Sequence, residues 1–284
     1  GYLGRSAVAV NGTRGSEETV NTRKTKGFGV FSKYTVNTGT ASFSDFNNQQ
    51  VTYKYSKWTY TPVKYWPTTA GHIDFYAYAP YVQGKQLTNN TCMEFDVAHD
   101  VADQKDLLWS RVKAQINTPI TSTNNKVKFQ FAHALSRLGY TIKLHDIYSS
   151  AKFTLKKITL AGSPDGTTKA FYTKGTIDLS KVKDEPTGNV PAGLWNTSSS
   201  DKQNFDWVST PYDLTSTDAS DPDKDNYLFV IPQDFSKDKT TENPNVDELY
   251  IIVQYTIKYD GAGEQTNTVY KKIKSNFKKC KSYM

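Results

Sequence analysis

Leu249-Tyr250-Ile251-Ile252-Val253-Gln254-Tyr255-Thr256-Ile257-Lys258-Tyr259 is the stretch that decides the fold class. Leu249, Ile251, Val253, Tyr255, Ile257 and Tyr259 fall at every second position, and Tyr250, Gln254, Thr256 and Lys258 lie between them. Side chains of a strand alternate between its two faces, so this period predicts a strand with one buried face. The same period recurs in Ile73–Ala79, Val127–Phe131, Tyr140–Leu144 and Tyr227–Ile231. In Phe153–Leu160 the apolar phase slips by one residue, which a β-bulge accommodates. No long run follows the helical spacing. The one helix-like piece, Ala132–Leu138, reads equally well as a turn or bulge within a strand pair.

Turn signals punctuate these runs: Asn11-Gly12, Pro164-Asp165-Gly166 and Asp260-Gly261, with prolines at 186 and 191. Many short strands so divided imply an all-β protein of Greek-key β-sandwich type. At 284 residues the chain accommodates two sandwiches. The division is expected between His145 and Ser150, where one alternation ends and another begins, giving domains 1–147 and 148–284. The polar stretch 181–206 is expected to be a loop excursion of the second domain.

Aromatic residues make up 13% of the chain, with 19 Tyr and 14 Phe against two Met, a balance that suits pleated, half-buried surfaces and favours sheet. A net charge of +7 invites an anionic partner. The lysines, however, are interspersed with acids, and no nucleic-acid recognition motif accompanies them, which argues against nucleic acid. Cys92 and Cys280 match neither a zinc nor a redox spacing; a single bridge and two free thiols both remain open. No stretch reaches the ~20 apolar residues of a membrane helix. The chain begins at Gly1 without a charged and apolar leader, so any export signal is expected to have been removed.

Sequence chemistry gives no catalytic set. The four histidines, 72, 99, 133 and 145, have no partner at triad or helical metal spacing, and His133, among apolar neighbours, is expected in the core. Asp96, Asp100, Asp103 and Asp106 read as a solvated loop. Asp218, Asp221, Asp223 and Asp225 imitate the start of a calcium loop, but Asn226 stands where its turn glycine belongs and Pro232 where its bidentate glutamate belongs. Trp58, Tyr60, Tyr65 and Trp66 are candidates for stacking on a glycan, with core packing as the competing reading. Lysines 271, 272, 274, 278, 279 and 281 crowd the C-terminus, a pattern that protects an exposed sheet edge.

Five segments in order carry a family resemblance: Trp58 with Tyr65-Trp66-Pro67; His72-Ile73-Asp74-Phe75-Tyr76-Ala77-Tyr78-Ala79-Pro80; Asp103-Gln104-Lys105-Asp106-Leu107-Leu108; Phe131–Leu138; and Phe229-Val230-Ile231-Pro232-Gln233. Together they resemble the fimbrillin-like proteins of Bacteroidales surfaces, the subunits and relatives of type V pili, over nearly the whole chain. The resemblance implies two transthyretin-like sandwich domains and export as a lipoprotein acylated upstream of Gly1. It further implies display on the outer membrane within a fimbrium. The implied function is that of a structural or adhesive pilus subunit, with no cofactor and no enzymatic activity, whose partners are other subunits reached by strand exchange. A monomeric surface lipoprotein that binds host or bacterial glycans is the alternative.

In polymerising members an arginine-specific protease removes the first strand, and the opened groove accepts a donor strand. The corresponding elements here are Ala7, Val8, Ala9 and Val10 as the removable strand and Arg14 as the cleavage site, with Arg5 and Arg23 as rivals. Cys280-Lys281-Ser282-Tyr283 departs from the family's glycine-containing segment, and the sequence stops at Met284, so either it is cut short or this member lacks a conventional C-terminal donor strand.

Overall fold

A computed structural model describes residues 18–39, 45–116, 126–145, 150–181, 193–197, 201–208, 210–215, 227–278 and 282–283. Before residue 147 the chain forms α1 (Val20–Lys26), β1 (Phe28–Val36), β2 (Gln49–Lys54), β3 (Lys57–Thr59), β4 (Gly71–Ala79), β5 (Leu87–Thr88), β6 (Cys92–Asp96), β7 (Leu108–Ile116), β8 (Ala132–His133) and β9 (Ser136–Leu138). After it come β10 (Ala151–Ala161), β11 (Phe171–Tyr172), β12 (Lys174–Asp178), β13 (Trp195–Thr197), β14 (Lys202–Gln203), β15 (Phe205–Val208) and β16 (Tyr212–Asp213). Then follow β17 (Leu228–Val230), β18 (Leu249–Tyr259), β19 (Gln265–Ile273) and β20 (Ser282–Tyr283). The protein is all-β, as the alternation predicts. No described helix is long and apolar enough to cross a membrane.

A six-stranded antiparallel sheet runs β3-β2-β1-β4-β7-β8, and a second sheet runs β15-β10-β18-β19 with β16 also on β10. Two smaller sheets, β13-β12-β6-β5 and β17-β9-β20, take strands from both sides of residue 147. The expected division itself falls on residues 146–149, outside those described.

The predicted bulge is present. The register of β10 on β18 shifts between Leu155 and Lys157, and the shift carries Phe153, Leu155, Ile158 and Leu160 onto one buried face. Across from them on β18 stand Ile257, Tyr255, Val253 and Ile251. That face of β18 is less covered than its period suggests: Leu249 is buried, Ile251 to Ile257 on this face are half-buried, and Tyr259 is 49% exposed. The cause lies next door, where the edge strand β19 sets Asn267 and Gln265 opposite Tyr255 and Ile257, so the core tapers toward that end. In β4, by contrast, Phe75 to Ala79 are all buried, because both faces of that strand are covered.

Other expectations need correction. Val127–Phe131 and Tyr140–Leu144 alternate in burial but join no ladder among the described residues; the second is held through Leu144 N–H donating to the Thr215 carbonyl. The stretch 181–206 is not all loop, since β13, β14 and the start of β15 lie within it, too short and polar to declare themselves by period. Helix α1 was not foreseen: its sequence, VNTRKTK, has no apolar stripe. It rests on a capping box in which the Thr19 hydroxyl accepts from Thr22 N–H while Thr22 Oγ1 accepts from Thr19 N–H.

Two cores result. The larger gathers Phe31, Tyr76, Tyr78 and Trp109 from one face of the six-stranded sheet with Leu155, Phe171, Phe205, Phe229, Phe235 and Leu249 from beyond residue 147. The smaller lies on the opposite face of that sheet and contains Phe28, Val30, Val51, Ile73 and Phe75. Gln104 ties the sequence halves together: its buried Oε1 accepts from Phe229 N–H at 2.8 Å. Gln104→Leu strands that amide in the core, and we expect a loss of about 1–3 kcal/mol, read as a lowered midpoint in chemical denaturation.

Candidate functional site

The smaller core is covered from two sides without being closed. Its floor is the outer face of the six-stranded sheet, where register sets Phe28 opposite Val51 and aligns Val30 with Ala77 and Tyr34 with Ile73. One wall is the chain from Ser56 to Trp66; the other is the segment 126–131. Val20 and Arg23 of α1 close one end. Between the walls lies a groove of about 740 Å³.

Aromatic edges fix both walls to the floor. Phe28 meets Trp58 at 5.1 Å on one side and Phe131 at 5.3 Å and Phe129 at 5.6 Å on the other. Phe75 likewise meets Trp66 and Phe129, each at 6.3 Å and nearly perpendicular. Edge-to-face contacts of this kind add to area burial and orient the rings. Segment 126–131 keeps Val127, Phe129 and Phe131 half-buried toward the floor, with Lys126, Lys128 and Gln130 exposed. Its backbone has no ladder partner among the described residues, although its burial alternates with the side-chain phase of a strand.

The four aromatic residues named from sequence all line this groove, in different settings. Tyr60 packs against Phe46 at 5.3 Å and Trp66 against Phe75, so these two belong to the core. Trp58 is 40% exposed and Tyr65 is 84% exposed, at the mouth. Ala7, Val8, Ala9, Val10 and Arg14 lie outside the described residues, as do Cys280 and the aspartates 218 to 225. Sequence reasoning missed Phe28, Phe129 and Phe131 as groove residues. The alternation of 127–131 was a visible signal, but nothing local says which segment, if any, pairs beside it.

Polar groups anchor the α1 end. Asp106, taken from sequence for a loop residue, is fully buried, and its Oδ2 lies 2.5 Å from His133 Nδ1 and accepts from Glu18 N–H at 3.3 Å. The Glu18 carboxylate is itself buried, accepting from Lys26 at 2.7 Å and from the Thr22 hydroxyl at 3.0 Å. Burial pushes its pKa up, against the opposing pull of Lys26. No cluster of three or more His, Cys, Asp or Glu side chains suited to a metal occurs among the described residues.

A family model described as fimbrillin-like matches residues 13–284. The fimbrium subunit Fim1C of Phocaeicola vulgatus is 28% identical over 151 residues, which is 45% of this chain and 39% of that protein, so the match spans about two fifths of its relative's length. A crystal structure of a fimbrial protein from Bacteroides vulgatus ATCC 8482 superposes with a TM-score of 0.58 at 19% identity, covering 96% of this chain and 95% of the other. That likeness shows a shared fold.

The Glu18 shift has a defined sign. A carboxyl group whose folded pKa lies above the unfolded value contributes most below about pH 4.5 and loses that contribution as pH rises through the raised value. Glu18→Gln copies the neutral form. We expect its urea midpoint to gain on the parent's as pH rises from about 4 to about 7, and to match it at the acid end.

Proposed function

The chain belongs to the fimbrillin-like family, and on that premise we propose that it is a structural or adhesive subunit of a type V pilus, joined to its neighbours by strand complementation in the groove. The observation that carries the proposal is segment 126–131. A segment with the side-chain phase of a strand and no ladder partner among the described residues, beside an apolar slot, is what an added strand satisfies: main-chain bonds supply affinity and alternate side chains fill the slot. Each Val or Leu side chain fully buried there contributes about 1.5–3 kcal/mol.

In this reading Ala7–Val10 is the first strand that the groove gives up, and cleavage at Arg14 releases it. Arg23 is a poor rival. It sits within α1, half-buried, with its guanidinium 5.0 Å from the Phe131 ring centre, whereas proteases take extended, accessible chain. Residues 1–147 and 148–284 serve as the two Greek-key sandwich domains, locked together through β6 on β12 and β9 on β17. The subunit is exported as a lipoprotein and reaches the fimbrium from the outer membrane.

The exposure of Trp58 and Tyr65 favours one second reading, a monomeric surface protein that stacks glycans on those rings. A sugar panel that quenches or shifts tryptophan fluorescence in the parent but not in Trp58→Ala supports it over assembly.

An arginine-specific protease should cut the folded chain once, near Arg14, and the product should form ladders of oligomers on a gel. An unchanged intact mass after treatment counts against the processing step, and a clean cut without ladders counts against complementation.

A further inference from the structure

The groove that takes a strand in the reading above is apolar on its floor and cationic at its rim. Lys57 stands on one wall and Lys126 and Lys128 on the other, all three exposed. No Asp or Glu lines the groove among the described residues. Two further cations at the rim are already engaged. The Arg23 guanidinium rests on Phe131 in the field of Glu18 and Asp106, and Lys64 lies 5.2 Å from the Phe46 ring centre while donating to the Asp45 carbonyl. Lys57, Lys126 and Lys128 have no ion-pair partner among the described residues.

The phase of segment 126–131 makes this charge selective. Its apolar side chains point to the floor at alternate positions, so the two lysines stand on the outward face, where a strand laid alongside would set its own outward residues next to them. Cross-strand pairs of opposite charge stabilise such a pairing, and like charges oppose it. We infer that the strand this groove accepts is an acidic one from a second fimbrial subunit: apolar residues at every second position toward the floor, with Asp or Glu between them facing out. The chain's own Ala7-Val8-Ala9-Val10 carries no acid. Charge therefore favours an incoming acidic strand over the chain's own segment and gives the exchange a direction.

The inference rests on the strand-accepting reading of the groove, and the test separates the two. Three labelled peptides of about eight residues alternate Val with Glu, Ser or Lys, and their binding is followed by fluorescence anisotropy. The full chain is used before and after treatment with an arginine-specific protease. At low salt the Glu peptide should bind about tenfold tighter than the Ser peptide, as expected for a few exposed ion pairs, and the Lys peptide weakest. The advantage should vanish near 1 M salt, where the screening length is about 3 Å. A variant combining Lys57→Glu, Lys126→Glu and Lys128→Glu should reverse the order. Equal binding of the Glu and Ser peptides at low salt overturns the inference and leaves the groove standing as a strand acceptor. Absence of binding by all three peptides to either form overturns both.

Discussion

An apolar sheet face in water has to be covered, and the arrangement of this protein follows from how its six-stranded sheet meets that requirement twice. One face is sealed by the large core, to which strands beyond residue 147 contribute Leu155, Phe205, Phe229 and Leu249, all nearly inaccessible. The other face carries Phe28, Val30, Val51, Ile73 and Phe75 under two walls that do not meet. Close-packed interiors collapse only partly around a void, and here the floor is pinned by the opposite core while the walls are propped apart by rings. Phe28 and Phe75 each touch both sides. The groove is thus a consequence of packing on the far side of the sheet.

The segments that carry the family resemblance turn out to be stitching. Gln104 accepts from Phe229 N–H, and Asp106 pairs with His133, so the acidic segment reaches both the His133 segment and the strand that ends in Pro232-Gln233. Gln233 continues the chain of contacts, accepting from Tyr172 N–H and donating to the Ala170 carbonyl. Trp195 Nε1 donates to the Ala134 carbonyl at 2.9 Å. Buried polar groups need partners, and each of these bonds spans more than twenty residues of sequence. They are polar residues set in apolar surroundings, and most of their hydrogen-bonding capacity goes to backbone groups of distant strands. His133 illustrates the difference: its place among apolar residues was legible, but its tie to a buried Asp106 was not, because the aspartate sits in a run whose other members, Asp96, Asp100 and Asp103, face solvent.

Legibility tracks how local the cause is. The phase slip in Phe153–Leu160 is a local signal and became a bulge in the expected place. The period of Ile73–Ala79 gave the strand, and its lack of polar residues after Asp74 reflects cover on both faces. Segments 127–131 and 140–144 have a strand's phase, but ladder membership depends on a neighbour, which no local pattern encodes. The short strands β13 to β15 are held by pairing to distant partners such as β12 and β10. Of the groove, the rings at 58 to 66 were visible as a cluster. Their role was ambiguous because stacking and core packing call for the same side chains, and only exposure separates Tyr65 from Trp66.

If the groove takes up a strand as proposed, strands have to be refused elsewhere, and β19 is where the refusal matters most. It is nine residues long and among the described residues pairs only with β18, with Val269 49% and Tyr270 61% exposed. Lys271 and Lys272 lie in its last turns of alternation and Lys274 just beyond; charged residues on an edge discourage pairing. Two of these charges are fixed in place. Lys272 bonds Asp238 at 2.7 Å and Glu248 at 2.6 Å, Lys274 bonds Asp238 as well, and the two ammoniums, Lys272 first, hold the Asp238 carboxyl down to about 2. Lysine thus serves opposite ends at the two sites. Beside β19, Lys272 and Lys274 are anchored by acids along the edge, so an approaching strand meets charge. At the groove Lys57, Lys126 and Lys128 have no ion-pair partner among the described residues and border an apolar floor, so in the proposed reading the same residue type favours an acidic strand on both of its faces.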